Sequence, residues 1–330
     1  MKAAMYEVTG PAQDVLRVVD MPDPVPGSGE VLVRVAFSAV HPSDVKTRSG
    51  ARGPIAFDRV VPHSDGAGRI VSVGAGVDPG RVGARVWLWN AAWKRAHGTA
   101  AELVALPSEQ AVDLPDLADF PTGASLGIPA ITAHRCLFSD GKIAGQTILV
   151  TGGAGTVGSV AIQMAKRAGA TVIATVSGDK KAMHAKAMGA DHVVNYRDAD
   201  AVDQIRTASG LGGVDRIVEV EFGGNLDITR AVLADSGTVA TYGSMAAPDP
   251  VLPFYPMMFT NMTLRMVFAY TIPLAARRHA EADIGAWLAD GSLKGVIADY
   301  FDLDDVVAAH QSVEAGKRIG VTLVRVASEV

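Results

Sequence analysis

Four glycines directly after a short apolar run have the clearest chemical meaning in this sequence. Gly152, Gly153, Gly155 and Gly158 follow the β-branched and aliphatic run 147–150, and apolar residues at helical spacing come next. Strand, glycine turn and helix in this order present backbone N–H groups to a diphosphate, and the positive end of the helix dipole favours the anion. We therefore predict a dinucleotide site here. The alternative is a glycine-rich turn in an ordinary α/β protein.

The glycines of this turn have separate predicted roles. Gly153 allows the tight turn, and Gly158 lets the helix pack close to the strand. Gly155 lets the backbone approach the pyrophosphate, because a Cβ at that position would collide with it. We expect the whole turn to contact the cofactor, that is Gly153, Ala154, Gly155, Thr156, Val157 and Gly158.

The strand at 170–175 and the residues after it indicate which dinucleotide is bound. An NAD site usually carries Asp or Glu near this strand end, where it binds the ribose 2′-hydroxyl. Ser177 and Lys181 are available here instead, and hydroxyl and ammonium groups suit a 2′-phosphate. We therefore predict NADPH. Two alternatives are that Asp179 faces the ribose, as in an NAD site, or that the segment is a helix cap with a solvated basic turn.

Composition excludes several classes of protein. The chain has 330 residues, of which 48% are hydrophobic and 20% are charged, as expected of a globular protein long enough for two domains. A net charge of −5 without a long basic run argues against a nucleic-acid partner. Cys136, the single cysteine, excludes an internal disulfide and fits a reducing cytoplasm. With no signal-peptide core and no membrane-length apolar stretch, we expect a cytoplasmic protein without a membrane partner.

The order of elements predicts an α/β fold with an inserted domain. The first third of the chain is β-rich, and helices alternate with apolar strands from about residue 120 onwards. The last strands match the early β-rich composition. We therefore predict a Rossmann doubly wound parallel sheet at 123–270, inserted into a β-rich catalytic domain formed by 1–122 and 271–330, with the ligand in the cleft between them.

Several stretches together resemble one known family over nearly the whole chain. The sequence is similar to the medium-chain dehydrogenase/reductase superfamily, in particular to its zinc-free quinone oxidoreductases related to zeta-crystallin. The matching stretches are 39–50, 62–68, 127–133, the glycine turn, 189–191 with 195–197, and Gly243-Ser244. The resemblance implies that the β-rich domain is GroES-like, and that two cofactor-domain sheets pair edge to edge in a homodimer.

When the chain is compared with the zinc-dependent members of that superfamily, most of the residues that bind zinc in those members are replaced. Their Cys-x-Ser-Asp corresponds to the segment from His41 to Asp44, their ligand histidine to Ser64, and their later cysteine to a position near Ile128. His41, Ser64 and Asp65 remain, without a thiolate, whereas a catalytic zinc needs three good N, S or carboxylate ligands. We therefore predict that the protein binds no metal.

A site without a metal favours a particular kind of acceptor. Nothing there lowers the pKa of an alcohol, whereas a quinone or an α,β-unsaturated carbonyl spreads the incoming charge over its own oxygens. The resemblance and this argument both favour reduction of a conjugated carbonyl by NADPH. The alternatives are an alkenal or enone double-bond reductase, and an NADPH-binding sensor or structural protein without turnover. The sequence names neither the acceptor nor the number of electrons transferred at a time.

Two residues are the candidates for catalysis. The resemblance places His41 where the family usually has Asn, and Lys46 where members carry Tyr or Lys. His41 would hydrogen-bond the acceptor oxygen or donate a proton near neutral pH. Lys46 would stabilise developing enolate charge, and its alternative is a solvated position on a helix face. Whether either residue takes part in proton transfer is left open.

The resemblance and the strand ends add further cofactor contacts. Thr132 is expected near the nicotinamide ribose, Tyr196 and Arg197 near the adenosine phosphate, and Arg318 near a phosphate. Tyr242, Gly243 and Ser244 end a strand, where doubly wound sheets bind ligands, and Phe268 would present its backbone to the carboxamide. An apolar set would either line the acceptor pocket or form a dimer contact, namely Trp89, Trp93, Phe254, Tyr255, Met257, Met258 and Phe259.

Overall fold

The computed structural model of the protein describes residues 1–327. Its strands are β1 (Lys2–Met5), β2 (Arg17–Asp20), β3 (Glu30–Val40), β4 (Asp65–Val73), β5 (Arg85–Leu88), β6 (Leu103–Pro107), β7 (Ala111–Asp113), β8 (Thr147–Val150), β9 (Thr171–Val176), β10 (His192–Asn195), β11 (Val214–Glu219), β12 (Leu233–Thr241), β13 (Thr263–Met266), β14 (Ile297–Asp302) and β15 (Val321–Arg325). Its α-helices are α1 (Ala12–Val15), α2 (Pro42–Ser49), α3 (Phe120–Phe138), α4 (Thr156–Arg167), α5 (Asp179–Ala187), α6 (Ala201–Ser209), α7 (Leu226–Val232), α8 (Phe254–Phe259), α9 (Leu274–Ala289) and α10 (Val306–Ala315). Among the described residues, no helix combines the length and apolar character that a membrane crossing requires.

The chain divides into two compact units. The first consists of 1–128 and 283–330, and the second of 129–282. Both divisions fall inside a helix, α3 and α9 respectively. The sequence placed the boundaries at 122/123 and 270/271, and those boundaries stay a prediction.

The second unit contains a six-stranded parallel sheet in the order β10-β9-β8-β11-β12-β13. This order reverses direction at β8, as in doubly wound dinucleotide-binding folds, so the carboxyl end of β8 is the expected ligand position. Leu149, Ile173, Ile217 and Val239, from four adjacent strands, are at most 1% exposed and form its core. Strands buried on both faces read as continuous apolar runs, which is why the sequence predicted them.

The first unit contains a seven-stranded mixed sheet in the order β14-β15-β3-β4-β5-β7, with β6 also paired to β3. Its core includes Val31, Val33 and Val35 of β3, which alternate with more exposed neighbours as in a half-buried strand. β15 pairs antiparallel with β3, so that Thr322 lies opposite Val40. The expectation that the C-terminal strands return to the β-rich domain is therefore confirmed, as is the α/β fold class.

Two helices have features that matter for the site. α2 begins after His41 with Pro42 in its first turn, and it ends at Gly50, whose φ is 87°. α3 is interrupted at Gly127, where φ is −15° and ψ is −107°, and Pro129 follows within the helix. The sequence pattern predicts a helix over 121–127 that continues over 131–138. The structure shows one element with a break at Gly127.

Candidate functional site

The glycine turn joins β8 to α4 at the carboxyl end of the parallel sheet. Gly152 has a φ of 63°, so the left-handed conformation falls at this residue rather than at Gly153. A Cβ at Gly153 would lie 2.8 Å from the Cβ of Ala174, so this glycine is required by close packing against β9. Gly155 is the N-cap of α4, which places the first N–H groups of the helix beside the turn.

Gly155 and Gly158 differ in what a side chain would meet. A Cβ at Gly155 would have one near neighbour, the Gly152 carbonyl oxygen at 3.2 Å. A Cβ at Gly158 would overlap that same oxygen and would lie 2.9 Å from the Gly153 Cα. Gly158 therefore lets α4 pack against the turn itself, whereas Gly155 leaves an open space in front of the turn.

A basic cluster follows the next strand of the same unit. Lys181 donates a hydrogen bond from Nζ to Ser177 Oγ over 3.0 Å. The Arg197 guanidinium lies 5.8 Å from the ring centre of Tyr196 and donates to the Ser177 carbonyl over 3.4 Å. The structure thus brings together four predicted residues, Ser177, Lys181, Tyr196 and Arg197, and two of them are cations. Asp179 lies exposed in the first turn of α5.

The remaining predicted contacts of this unit occupy separate elements. Thr132 is buried in α3, and Phe268 is 46% exposed after β13. At the end of β12, burial raises the pKa of the Tyr242 phenol. A Cβ at Gly243 would lie 2.5 Å from the Val220 carbonyl oxygen. Ser244 Oγ accepts from the Gly223 N–H over 3.0 Å and donates to the Ala247 carbonyl, so it stabilises this loop.

Glu219 at the end of β11 is a buried carboxylate that the sequence analysis missed. It is 0% exposed, and its Oε1 accepts from the Thr151 hydroxyl, the Glu221 N–H and the Asn225 amide over 2.8, 2.6 and 2.9 Å. Burial raises the pKa of Glu219, although each of these three hydrogen bonds lowers it. The residue therefore ties the ends of β8 and β11 together beside the glycine turn.

The first unit holds the two catalytic candidates. His41 is 4% exposed, and its Nε2 lies 2.7 Å from Oδ2 of Asp65, which is fully buried. The same carboxylate oxygen accepts from the Ile128 N–H over 2.7 Å. Lys46 lies half-buried in α2. The structure thus pairs His41 with a carboxylate that belonged, in the sequence comparison, to a lost metal site.

Charges around His41 set its protonation. Burial lowers the pKa of His41, but the charge and hydrogen bond of Asp65, together with the charge of Asp44, more than offset burial and raise that pKa above its ordinary value. Arg318 acts in the opposite direction and lowers the pKa of His41. Burial raises the pKa of Asp44 itself to about 6, and Asp44 Oδ2 accepts from the His41 backbone N–H over 2.8 Å. Arg318 also donates to the Val313 carbonyl over 3.3 Å, at the end of α10.

A series of hydrogen bonds between buried side chains connects His310 to the backbone carbonyl of Asp65. His63 Nδ1 is 2.8 Å from Ser38 Oγ, and His63 Nε2 is 2.9 Å from Nε2 of His310. Ser38 Oγ is 2.7 Å from Thr99 Oγ1, which donates to the Asp65 carbonyl over 2.6 Å. Burial lowers the pKa of both histidines, that of His310 to about 3, so both are neutral at pH 7.

The comparisons with known proteins are consistent across the chain. Residues 27–116 match the family model described as alcohol dehydrogenase GroES-like domain, and residues 156–284 match that of zinc-binding dehydrogenase. A quinone oxidoreductase of Rattus norvegicus is 30% identical over 311 residues, which cover 94% of this chain and 92% of that protein. The chain belongs to the quinone oxidoreductase family. The resemblance to the medium-chain dehydrogenase/reductase superfamily is thereby confirmed.

Solved structures agree with this quinone oxidoreductase assignment. A mycobacterial protein complexed with NADPH has a TM-score of 0.87 at 28% identity, covering 98% of this chain and 100% of that one. A structure described as an NAD-dependent alcohol dehydrogenase has a TM-score of 0.89 at 26% identity, covering 99% and 100% of the two chains. The fold is therefore shared with proteins that use either nicotinamide cofactor, so the choice of cofactor depends on residues of this chain.

Proposed function

We propose that this quinone oxidoreductase family member is an NADPH-dependent, zinc-independent reductase that transfers hydride to a quinone or another conjugated carbonyl. The observation that carries the proposal is the cluster of Ser177, Lys181 and Arg197, which offers a hydroxyl and two cations to a 2′-phosphate. The mycobacterial structural relative is complexed with NADPH, and the rat relative is named for quinone reduction.

The proposed reaction balances with a single proton from solvent. NADPH, when bound, supplies hydride and becomes NADP⁺, and a quinone that accepts the hydride and one proton becomes a hydroquinone. In this chain, the glycine turn would hold the diphosphate, with Gly155 admitting it and α4 favouring its charge. His41 and Lys46 would stabilise the negative charge that develops on the acceptor oxygen.

Zinc independence is supported by the donor set around His41. Its Nε2 is already within hydrogen-bonding distance of Asp65, and Ser64 offers a hydroxyl where a stronger ligand would be required. In the described part of the chain, His41 and Asp65 belong to no group of three or more His, Cys, Asp or Glu ligand atoms within 4.8 Å of one another.

An acceptor screen tests this function directly. The purified protein would be analysed for metal content and assayed for NADPH oxidation with quinones, enones and alkenals. Turnover of quinones without stoichiometric zinc is the expected result. Faster turnover of alkenals would favour the double-bond reductase. NADPH binding without turnover of any acceptor would favour the sensor, and stoichiometric zinc that is lost in His41→Asn would contradict the mechanism.

We expect Lys181→Ala to weaken NADPH binding by about 10- to 100-fold, because a hydrogen bond to a charged group contributes about 1.5–3 kcal/mol. The ammonium group beside Ser177 would be lost, while the site for the rest of the cofactor would remain. NADH binding should be unchanged, since NADH lacks the 2′-phosphate. Fluorescence titration with both cofactors would measure the two dissociation constants.

The matched control for this prediction is Lys180→Ala. Lys180 is the exposed neighbour in the same turn, and its loss removes one charge of the same sign. NADPH binding to Lys180→Ala should stay within about twofold of the unchanged protein, as expected of screened surface charge. Equal weakening of NADH and NADPH by Lys181→Ala would refute the proposed role of the lysine.

We also propose a homodimer built on the outer edge of the parallel sheet. β13 is the last strand of that sheet, and no residue of the adjoining α8 is buried. Tyr255 and Phe259 of α8 and Met266 of β13 are 65%, 74% and 76% exposed. An apolar surface beside an exposed strand edge is typical of a site that pairs with a second copy.

Phe259→Asp should convert this dimer to a monomer, because it places a charge in the apolar contact. Analytical ultracentrifugation at several concentrations would measure the mass. Leu211→Asp is the control, since Leu211 is a fully exposed loop residue of the same unit. A change of mass with both variants, or with neither, would contradict the proposed interface.

A further inference from the structure

The side chain of Asp65 is a buried carboxylate that accepts few hydrogen bonds. It is 0% exposed, and its Oδ2 is bonded by His41 and by the Ile128 N–H. Among the described residues, no hydrogen bond reaches its buried Oδ1. A buried carboxylate is costly unless a positive charge compensates it. The side chain in contact with it that can supply that charge is the imidazole of His41.

The groups facing His41 favour its charged form. Asp65 of β4 and Asp44 of α2 attract the imidazolium, and Arg318 in the segment before β15 repels it. Asp65 outweighs the other two because it contacts the ring directly, at 2.7 Å. A charged His41 would hold a positive group ready for an acceptor oxygen, whereas a neutral one would leave Asp65 uncompensated.

The backbone of Asp65 is fixed by a hydrogen-bond chain with only one possible direction. The Asp65 carbonyl can only accept, so Thr99 donates to it. Ser38 must then donate to Thr99, and His63 Nδ1–H to Ser38. His63 Nε2 is left as an acceptor, so the donor to it is the Nε2–H of His310.

These hydrogen bonds also stabilise an unfavourable backbone conformation at His63. His63 has a φ of 76°, a left-handed conformation that a residue with a side chain seldom adopts. Both ring nitrogens of His63 take part in the chain, which offsets the strain. The turn that leads into β4 is therefore held in one conformation, and with it the position of Asp65.

We propose that Asp65 is a positioning residue that orients His41 and keeps it protonated, and that the chain of His310, His63, Ser38 and Thr99 holds Asp65 in place for this task. The inference rests on the proposed function, because it assigns His41 its state in that reaction. Its physical content, a charged His41 paired with Asp65, is measurable without any turnover.

The test compares the unchanged protein with Asp65→Asn. In protein labelled with ¹⁵N-histidine, the ring signals of His41, assigned by their loss in His41→Asn, should show an imidazolium at pH 7. In Asp65→Asn, the same signals should show a neutral ring at pH 7, because burial then prevails. A neutral His41 in the unchanged protein, or the same titration in both proteins, would overturn the inference.

The second measurement is the pH profile of kcat with an active quinone. A raised pKa means that the charged form is complete at low pH and is lost as pH rises through the raised value, so activity should decline on the alkaline side. Asp65→Asn should move this decline to lower pH and reduce kcat at pH 7.5 by about 100-fold, the lower end of the range typical for the loss of a positioned acid. An unmoved profile would contradict the role of Asp65.

A third comparison distinguishes the loss of a positioning residue from a general structural defect. Asp65→Asn added to His41→Asn should lower kcat no further, because a positioning residue acts only through its partner. An additional loss of similar size in the double variant would show that Asp65 acts by general destabilisation. If the unchanged protein turns over no acceptor at all, the proposed function fails, while the NMR titration still decides the charge of His41.

Discussion

Replacing Gly155 by alanine is expected to abolish measurable NADPH binding, with at least a 100-fold increase in the dissociation constant, while the protein without cofactor stays folded. A Cβ at this position finds one neighbour, the Gly152 carbonyl oxygen at 3.2 Å, so the free turn accepts a methyl group with a small shift. The methyl group would occupy the space that the diphosphate requires, and binding cannot proceed around it. Calorimetric titration with NADPH, together with thermal unfolding of the free protein, would measure both effects.

Gly158→Ala is the matched comparison for Gly155→Ala, because both add one methyl group to the same turn. The methyl group of Gly158→Ala would overlap the Gly152 carbonyl and approach the Gly153 Cα to 2.9 Å. We therefore expect Gly158→Ala to lower the unfolding temperature before any cofactor is added. The assignment of the two glycines fails if Gly155→Ala binds NADPH normally, or if it destabilises the free protein as much as Gly158→Ala does.

Gly127→Ala is expected to destabilise the protein by about 3 kcal/mol or more, in the range measured when a buried charged pair is broken. A Cβ at Gly127 would overlap the Asp65 carboxylate, with Oδ2 only 2.5 Å away. The neighbour is a fully buried side chain bonded to His41 and to the Ile128 N–H, so it has no room to move. The free energy of unfolding in urea would measure the loss.

Gly285→Ala provides the control for that variant. Gly285 lies inside α9, and a Cβ there meets nothing within 4 Å. Alanine should stabilise this helix by about 0.5–1 kcal/mol, because glycine is the poorer helix former. A Gly127→Ala variant that is as stable as Gly285→Ala would mean that the Asp65 carboxylate is not held against α3.

The sequence was sufficient for those parts of the site that lie on one short segment. The glycine turn and the Ser177–Lys181 pair each depend on residues a few positions apart, so strand and helix geometry determine where they lie. Arg197, in the segment after β10, donates a hydrogen bond to the Ser177 carbonyl. The family resemblance predicts Arg197 near the adenosine phosphate. The position of the left-handed glycine was missed, because sequence spacing does not distinguish Gly152 from Gly153.

The environment of His41 was beyond sequence reasoning for a physical reason. His310 lies on α10, which the sequence analysis did not predict, and it meets His63 across 247 positions of the chain. Hydrogen bonds over such separations depend on the completed sheet. The requirement for glycine at position 127 has the same origin, since it reflects the Asp65 side chain rather than the conformation of α3 alone. One signal was available, namely the position of His63 two residues before the retained carboxylate of Asp65.

The pairing of β15 with β3 has a consequence for the order in which the protein matures on the ribosome. Residues 37–40, directly before His41, obtain their partners on one side only from 322–325. The parallel sheet has all its strands by residue 266, so it can form while this edge of β3 is still exposed. Unpaired edges promote aggregation during synthesis. We therefore expect that the parallel sheet can form before residues 37–40, next to His41, gain their partner strand β15.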